Sequence, residues 1–395
     1  MVLQLGTAEV NRITLGNIDV VGNPSTNYRT ITIAENILNP LGQRANIKIV
    51  DKYDALGSSN FRGESQLPVD IGFTEYLSRV RAGFDLRVFE AANLNDGSDE
   101  LAGNGRIKVY DIKCVSPEYL KNLDNQLENS YRDYTTNIVR DIITEHLETD
   151  KSIEIQEDSS TLRNFRFTKS PIQALKVLNE EHVSTSSRSS AFIVFQQQKR
   201  GNTKYIITTF ERLFAQSPVV TLYRSSRINF SSATREETVN SIIRMNVDTA
   251  FFSPNRFLTG AYDRSYNMST GTIGDYTTQR ADPNDNVERR GRRIIPTIYD
   301  ALNDPQEITT AEARTLRAYF IAQLSENYAE FTIHGNPNIS LGDVVNLNIP
   351  NISAAGGSRE EMFSGRALVV SLLHNIVEPG HSPQYTMTLG CVRIT

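Results

Sequence analysis

Short runs in which apolar and polar residues strictly alternate, each soon broken by Gly, Pro or Asn, recur at both ends of this chain. A period of two places every second side chain on one face of a strand, so each run must pair with others and bury a single face. Toward the N-terminus the alternation appears at Ile13-Thr14-Leu15, Thr30-Ile31-Thr32-Ile33, Ile47-Lys48-Ile49 and Leu86-Arg87-Val88. It is clearest from Ile107-Lys108-Val109-Tyr110 on to Ile112 and Cys114. Gly22-Asn23-Pro24, Asn39-Pro40-Leu41-Gly42 and the polar stretch Asn93 to Gly105 separate these runs as turns. Toward the C-terminus, Ala329 to Ile333 reads as a strand, followed by the turn Gly335-Asn336-Pro337-Asn338. Three alternating sets follow: Val345, Leu347 and Ile349; Leu368, Val370 and Leu372; Tyr385, Met387, Leu389 and Cys391. Many short strands with frequent turns predict barrels or sandwiches, because closure removes exposed sheet edges.

Between the two β-rich ends the period shifts toward that of a helix. Ser116 is placed to cap a helix that has Pro117 at its first position and Glu118 in its first turn. Ile138, Val139, Ile142, Ile143 and Leu147 form one stripe over Thr136 to Leu147. Ser170-Pro171 repeats the start signal ahead of Ile172, Leu175 and Leu178. Strands return at Ala191 to Phe195 and Lys204 to Phe210. Gln196 to Thr203 reads as their linker, with Lys199-Arg200-Gly201-Asn202 as a hairpin tip. The middle is therefore an α/β insertion flanked by β segments. Ser217 to Phe230 alternates again, Asn267 to Arg293 reads as a long polar surface loop, and Thr309 with Glu312 opens a helix carrying Leu316, Phe320 and Leu324.

At 395 residues the chain needs more than one core, and about two to four domains is the expectation. With 39% hydrophobic and 22% charged residues it is globular. Its net charge of −5 argues against general nucleic-acid binding, which needs clustered positive charge. The first residues show no basic, apolar leader, and no apolar run approaches the length of a membrane helix, so neither export signal nor membrane insertion is expected.

The candidate chemistry is sparse. Cys114 and Cys391 sit far apart in alternating runs and read as small core residues. His374, Glu378 and His381 form the nearest approach to a metal set, but Glu378-Pro379-Gly380 places them on a hairpin tip, so no metal or cofactor is expected. His146 and His182 fall near helix C-termini, where the dipole favours an imidazolium. Gly103-Asn104-Gly105 precedes a strand and reads as a turn, the wrong order for a phosphate cradle. Asp96 with Asp99-Glu100 offers an acidic pair for glycoside hydrolysis, yet no nucleophile with its base and orienter is visible, so no enzyme is expected. Arg289, Arg290, Arg292 and Arg293 form the one dense basic cluster. It is either a partner-contact loop or a solvated loop balanced by Asp282, Asp285 and Glu288.

The segment Gly335-Asn336-Pro337-Asn338-Ile339-Ser340-Leu341-Gly342-Asp343, then Phe363-Ser364-Gly365-Arg366, the strand to His374 and a closing strand from Tyr385, resembles the gp27-like hub family of contractile-tailed phages. The N-terminal half of type VI secretion VgrG spikes is similar. Cys114-Val115-Ser116-Pro117-Glu118 is a second, looser likeness, a barrel strand passing into a helical insertion. Gly335 and Gly342 allow backbone angles closed to other residues and Pro337 stiffens the turn, and the resemblance implies that this turn and the Gly342-Asp343 step open the second barrel. The resemblance implies an α+β, mainly β fold with two tail-tube-like β-barrels and an α/β insertion. Residues 1–115 would begin the first barrel, 116–216 form the insertion, and 217–265 return to complete that barrel. Residues 266–324 would be a polar loop and linking helix, and 325–395 the second barrel. It further implies a homotrimer in the virion tail baseplate, a pseudo-sixfold adaptor between the hexameric tail tube and a separate central spike protein. Other baseplate proteins would be partners, and viral DNA would pass through the channel without sequence-specific binding. A hub or spike component of another contractile injection system, and a tail-associated cell-wall-degrading enzyme, stand as alternatives.

Overall fold

The computed structural model describes residues 6–53, 56, 67–75, 79–93, 107–159, 162–185, 192–224, 235–247, 261–267, 272–278, 293–299, 317, 328–349, 364–378 and 383–393. The N-terminal strands are β1 (Ala8–Leu15), β2 (Ile18–Asp19), β3 (Thr26–Asn36), β4 (Arg44–Asp51), β5 (Pro68–Glu75), β6 (Arg81–Asn93) and β7 (Lys108–Val115). The insertion contains helix α1 (Pro117–Asp124), strand β8 (Ser130–Tyr134) and helix α2 (Thr135–Asp141), which continues as a π-helical turn over Ile142–His146. It goes on through β9 (Ser152–Ile155), β10 (Leu162–Arg166), α3 (Pro171–Glu181), β11 (Phe192–Lys199), β12 (Asn202–Thr209) and α4 (Phe210–Ala215). After it come β13 (Val220–Tyr223), α5 (Arg235–Val239), β14 (Ile242–Val247), β15 (Ala261–Asn267), β16 (Thr272–Thr278) and β17 (Arg293–Tyr299). The chain ends in β18 (Tyr328–His334), β19 (Val344–Asn348), β20 (Gly365–Val377) and β21 (Gln384–Arg393).

Thirteen strands join one sheet, and its pairing folds back on itself twice. The first ring runs β1–β5–β6–β7–β4–β3–β20–β21 and returns to β1 through the bridge Thr7↔Gln384. Hydrogen bonds from the Ala8 amide to the Pro383 carbonyl (3.3 Å) and from the Tyr385 amide to the Gly6 carbonyl (2.6 Å) flank that bridge. The second ring runs β14–β18–β21–β20–β19–β13 and returns to β14 through the bridge Tyr223↔Ser241. The hairpin β20–β21 belongs to both. Along β20 the outer edge pairs with β19 at Gly365 to Leu368 and with β3 from Ser371 to Val377. A bulge between Val369 and Ser371 marks the change, as expected where a strand must bend from one pairing into another.

This arrangement corrects two sequence-based boundaries. The strands after residue 217 do not complete the N-terminal set: β13 pairs with β19 and β14 with β18. Nor is the C-terminal set closed by 325–395 alone, since it needs β13 and β14 and lends its hairpin to the N-terminal ring. The alternation holds for most of these runs, but not at the start of the one that reads most clearly, where Ile107 is exposed and Val109 and Tyr110 are both half-buried. Ile13, Ile31, Ile33, Ile47, Ile49, Ile112 and Cys114 are buried with Phe331, Leu347, Leu368, Met387, Leu389 and Cys391 in one continuous core.

The insertion has its own core, built on Ile138, Val139, Ile142, Ile143, Leu147, Leu175 and Leu178. Leu41 from the turn before β4 reaches into it. Ser116 and Ser170 stand at the N-caps but neither side chain caps its helix. The Ser116 hydroxyl instead donates to the Leu41 carbonyl, tying the insertion to the N-terminal ring. The expected Gln196–Thr203 linker is strand: β11 and β12 pair along their whole length, with only Arg200 and Gly201 as the turn. Both turn residues have positive φ (51° and 85°), the requirement of a two-residue type I′ hairpin. Likewise Asn267 to Arg293 is not loop throughout, because β16 pairs antiparallel with β15, and β17 pairs parallel with it. The helix expected after Thr309 and the polar stretch Asn93 to Gly105, with its acidic pair, lie outside the described residues apart from Asn93 at the end of β6 and a single helical residue, Arg317. Among the described residues no helix is long and apolar enough to cross a membrane.

Candidate functional site

The segment Gly335 to Asp343 links β18 to β19 and lies where the shared hairpin meets the insertion. Its first half is an Asx turn: the Asn336 side-chain oxygen accepts from the Asn338 amide at 3.1 Å, while Pro337 is buried. Gly335 is required for a reason other than the one the sequence suggested. Its φ is not positive; a Cβ there would stand 1.9 Å from the ring of Tyr385, whose carbonyl accepts the Gly335 amide at 3.0 Å.

Gly342 does adopt a positive φ, +83°. Ser340 to Asp343 form a β-turn closed by the Asp343 amide on the Ser340 carbonyl (3.1 Å), with Gly342 at the third position, as in a type II turn. The Asp343 carboxylate returns to the Ser340 amide at 2.8 Å. The turn is pinned on the β20 side by the Gly342 amide to the Val369 carbonyl and the Val369 amide to the Asp343 carbonyl, both 2.9 Å. These bonds sit next to the point where β20 changes partner.

On its other side the turn receives β11. The Gln197 side-chain amide donates to the Leu341 carbonyl at 2.7 Å, and Lys199 Nζ lies 3.3 Å from the Asp343 carboxylate. A Cβ on Gly342 would meet the Phe195 ring at 2.8 Å. Burial pushes the Asp343 carboxyl up from its ordinary value, and Lys199 and the Ser340 amide oppose that shift without cancelling it. The site is a joint: three side chains of one insertion strand grip a turn that fixes the register of the shared hairpin. The sequence singled out Gly335, Pro337, Gly342 and Asp343, and all four lie in this joint. It missed the role of Phe195, which it placed in a strand, and of Gln197 and Lys199, whose stretch read as a linker.

The other candidates disperse. His374 is not on a hairpin tip; its ring points into the N-terminal core, 2% exposed, with Nδ1 2.8 Å from the Tyr385 hydroxyl and Nε2 3.0 Å from Glu35. Gln43 donates to the other Glu35 oxygen at 3.4 Å, and the Phe73 and Phe84 rings enclose the group. Glu378 instead follows β20, where its amide donates to the Arg29 carbonyl, and His381 lies outside the described residues. His182 also departs from expectation, in its charge. It stands at the C-cap of α3 as expected, but it is fully buried and stacked on Phe192, and burial, with Arg317 acting the same way, holds it well below its ordinary pKa, against an imidazolium. His146 ends the π-helical turn, with Nε2 2.9 Å from the Tyr131 hydroxyl. Arg293 opens β17, whereas Arg289, Arg290 and Arg292 lie outside the described residues.

No family model and no curated protein matches this sequence. Solved structures do match. A 43 kDa tail protein of prophage MuSo2 from Shewanella oneidensis superposes with a TM-score of 0.61 at 12% identity, over 98% of each chain. A tail protein from Neisseria meningitidis MC58 gives 0.57 at 9% identity, over 98% of this chain and 97% of the other. The Escherichia coli c3393 protein, a type VI secretion component described as similar to the T4 tail proteins gp27 and gp5, gives 0.51 at 9% identity over 98% and 77%. Over 98% of its length, this chain has the fold of these phage tail proteins and of the type VI secretion component.

Proposed function

We propose that this protein is a structural component of a phage tail, the central baseplate hub. Its role in that reading is to join a hexameric tail tube to a trimeric spike as a homotrimer. The observation that carries the reading is the pair of strand rings fused through β20–β21 in a chain that matches a whole tail protein over 98% of its length. Two ring-shaped units per subunit, in three copies, supply six similar faces to the tube and three to the spike. Such an assembly has closed symmetry. The hub would bind the spike, the tube and neighbouring baseplate proteins in the virion, let DNA pass without reading it, and catalyse nothing.

Light scattering on the chain co-expressed with its spike tests this. The expected mass corresponds to three copies per spike trimer. Monomer or dimer alone in that sample overturns the hub assignment, and clearing of cell-wall substrate in a zymogram overturns the non-enzymatic one.

A further inference from the structure

Where two convex rings share one hairpin, the outer face of the common sheet is drawn into a crease. A groove of about 680 Å³ occupies it, lined by β3, β20, β21, β18 and β14. Its floor carries hydroxylated side chains beside the part-exposed Leu373: Thr332 and Thr388 touch at 3.2 Å, and the Tyr328 hydroxyl reaches Ser371 at 3.1 Å. These hydroxyls retain unused donor or acceptor capacity.

The charge in the groove is unbalanced. Arg44 lies at one end and Arg244 at the other, both exposed, and among the described residues neither has a carboxylate partner. Arg44 is instead held over the Tyr119 ring at 5.2 Å, which fixes its guanidinium at the rim. Against these two cations stands Glu330, engaged by the Tyr328 hydroxyl (3.2 Å) and the Asn246 amide (3.4 Å). Glu35 borders the groove, but its carboxylate turns inward to His374.

We propose that this crease is a docking surface for an extended, acidic polypeptide segment of a partner protein, with carboxylates near both ends meeting Arg44 and Arg244. From β4 to β14 the sheet takes five strand-to-strand steps, so the two arginine backbones stand at most roughly 24 Å apart, a span that about seven extended residues cover. The hydroxyl and amide floor suits a peptide backbone, which presents donors and acceptors alternately. Nucleic acid fits less well: two cations flanking a carboxylate do not make the dense positive track that a phosphate backbone needs.

The test uses a fluorescein-labelled peptide of about seven residues with glutamates at both ends and serine and glycine between. A lysine-ended peptide and duplex DNA serve as competing probes. The full-length chain should bind the acidic peptide saturably and more weakly as salt rises. Arg44→Gln combined with Arg244→Gln should weaken that binding by about tenfold or more, whereas Arg132→Gln, an exposed arginine on β8, should leave it unchanged. Absence of saturable binding, or equal affinity in both variants, overturns the proposal. So does tighter binding of duplex DNA. A double variant whose only change is lost self-association, seen by light scattering, assigns the groove to a second copy of this chain and equally overturns it. None of these outcomes depends on the hub assignment, which is tested by the mass of the spike complex.

Discussion

At the scale of single residues, the two glycines of the β18–β19 link are constrained in different ways, and this separates their expected substitutions. Gly342→Ala sets an L side chain at φ +83° and within 2.8 Å of Phe195. The backbone term alone costs about 1–2 kcal/mol. Gly335→Ala has no such backbone term, but its methyl would overlap Tyr385, which is fully buried and bound to His374. Overpacking of that kind costs about 1–3 kcal/mol. Trimming Phe195 to Leu should therefore recover part of the Gly342→Ala loss and none of the Gly335→Ala loss. Urea midpoints of the two single and two double variants measure this; equal recovery at both positions would refute the assignment.

At the scale of elements, α1 is fastened to the entry of β9 by a buried ion pair. Lys151 Nζ contacts both Glu118 oxygens at 2.6 and 2.7 Å, and the Thr149 hydroxyl donates to the same carboxylate at 2.6 Å. Burial by itself raises the Glu118 carboxyl, but Lys151 and the hydroxyl outweigh it and the net shift is downward. A carboxylate depressed in the folded state contributes stability above its unfolded value of about 4.3, lost as pH falls through the folded value. Lys151→Met leaves only the Thr149 hydroxyl and a backbone hydrogen bond against burial, so Glu118 shifts upward relative to the wild type and the charge-dependent stability at neutral pH is lost. The difference between wild type and Lys151→Met should be about 3–5 kcal/mol at neutral pH and shrink toward about pH 4. Urea unfolding at both pH values reads it, and a difference that does not change with pH would show that the pair's charge is not what fastens α1.

The elements also show where sequence patterning carries and where it fails. β5 and β18 alternate cleanly in burial because one face meets the core and the other meets solvent, and β1 and β3 do so on either side of a bulge that shifts the phase by one residue. β11 does not. Phe192 and Val194 face the insertion core while Ile193 and Phe195 face the ring core, and Gln196, Gln197 and Gln198 are buried as well. A strand covered on both sides has no period to detect, and three consecutive glutamines imitate a linker. The turn at Gly342 was legible because its backbone demand leaves a residue-type signature. Its partners on β11 were not, since a side-chain amide reaching a carbonyl 144 positions away leaves no local trace.

At the scale of the whole molecule, the two rings are not separable units. A chain ending before β20 keeps β1 to β7 but removes both strands that stand between β3 and β1. Such a fragment should lack fixed tertiary structure in near-ultraviolet circular dichroism even though it retains every other strand of the N-terminal ring. A truncated chain with a native-like spectrum would mean that the N-terminal strands close by themselves and that sharing is incidental.

The shared hairpin also sets a timetable for synthesis. Thr7 meets Gln384 and β3 meets β20, so β1 and β3 leave the ribosome more than three hundred residues before the strands they pair with. Until β20 and β21 emerge, the nascent chain carries two unsealed strand edges, the kind of surface that invites pairing with neighbours on the same polysome. Contacts this distant in sequence also make folding slow once the chain is complete. Slowing elongation, which helps proteins whose domains mature in order, would for this chain only lengthen the exposure.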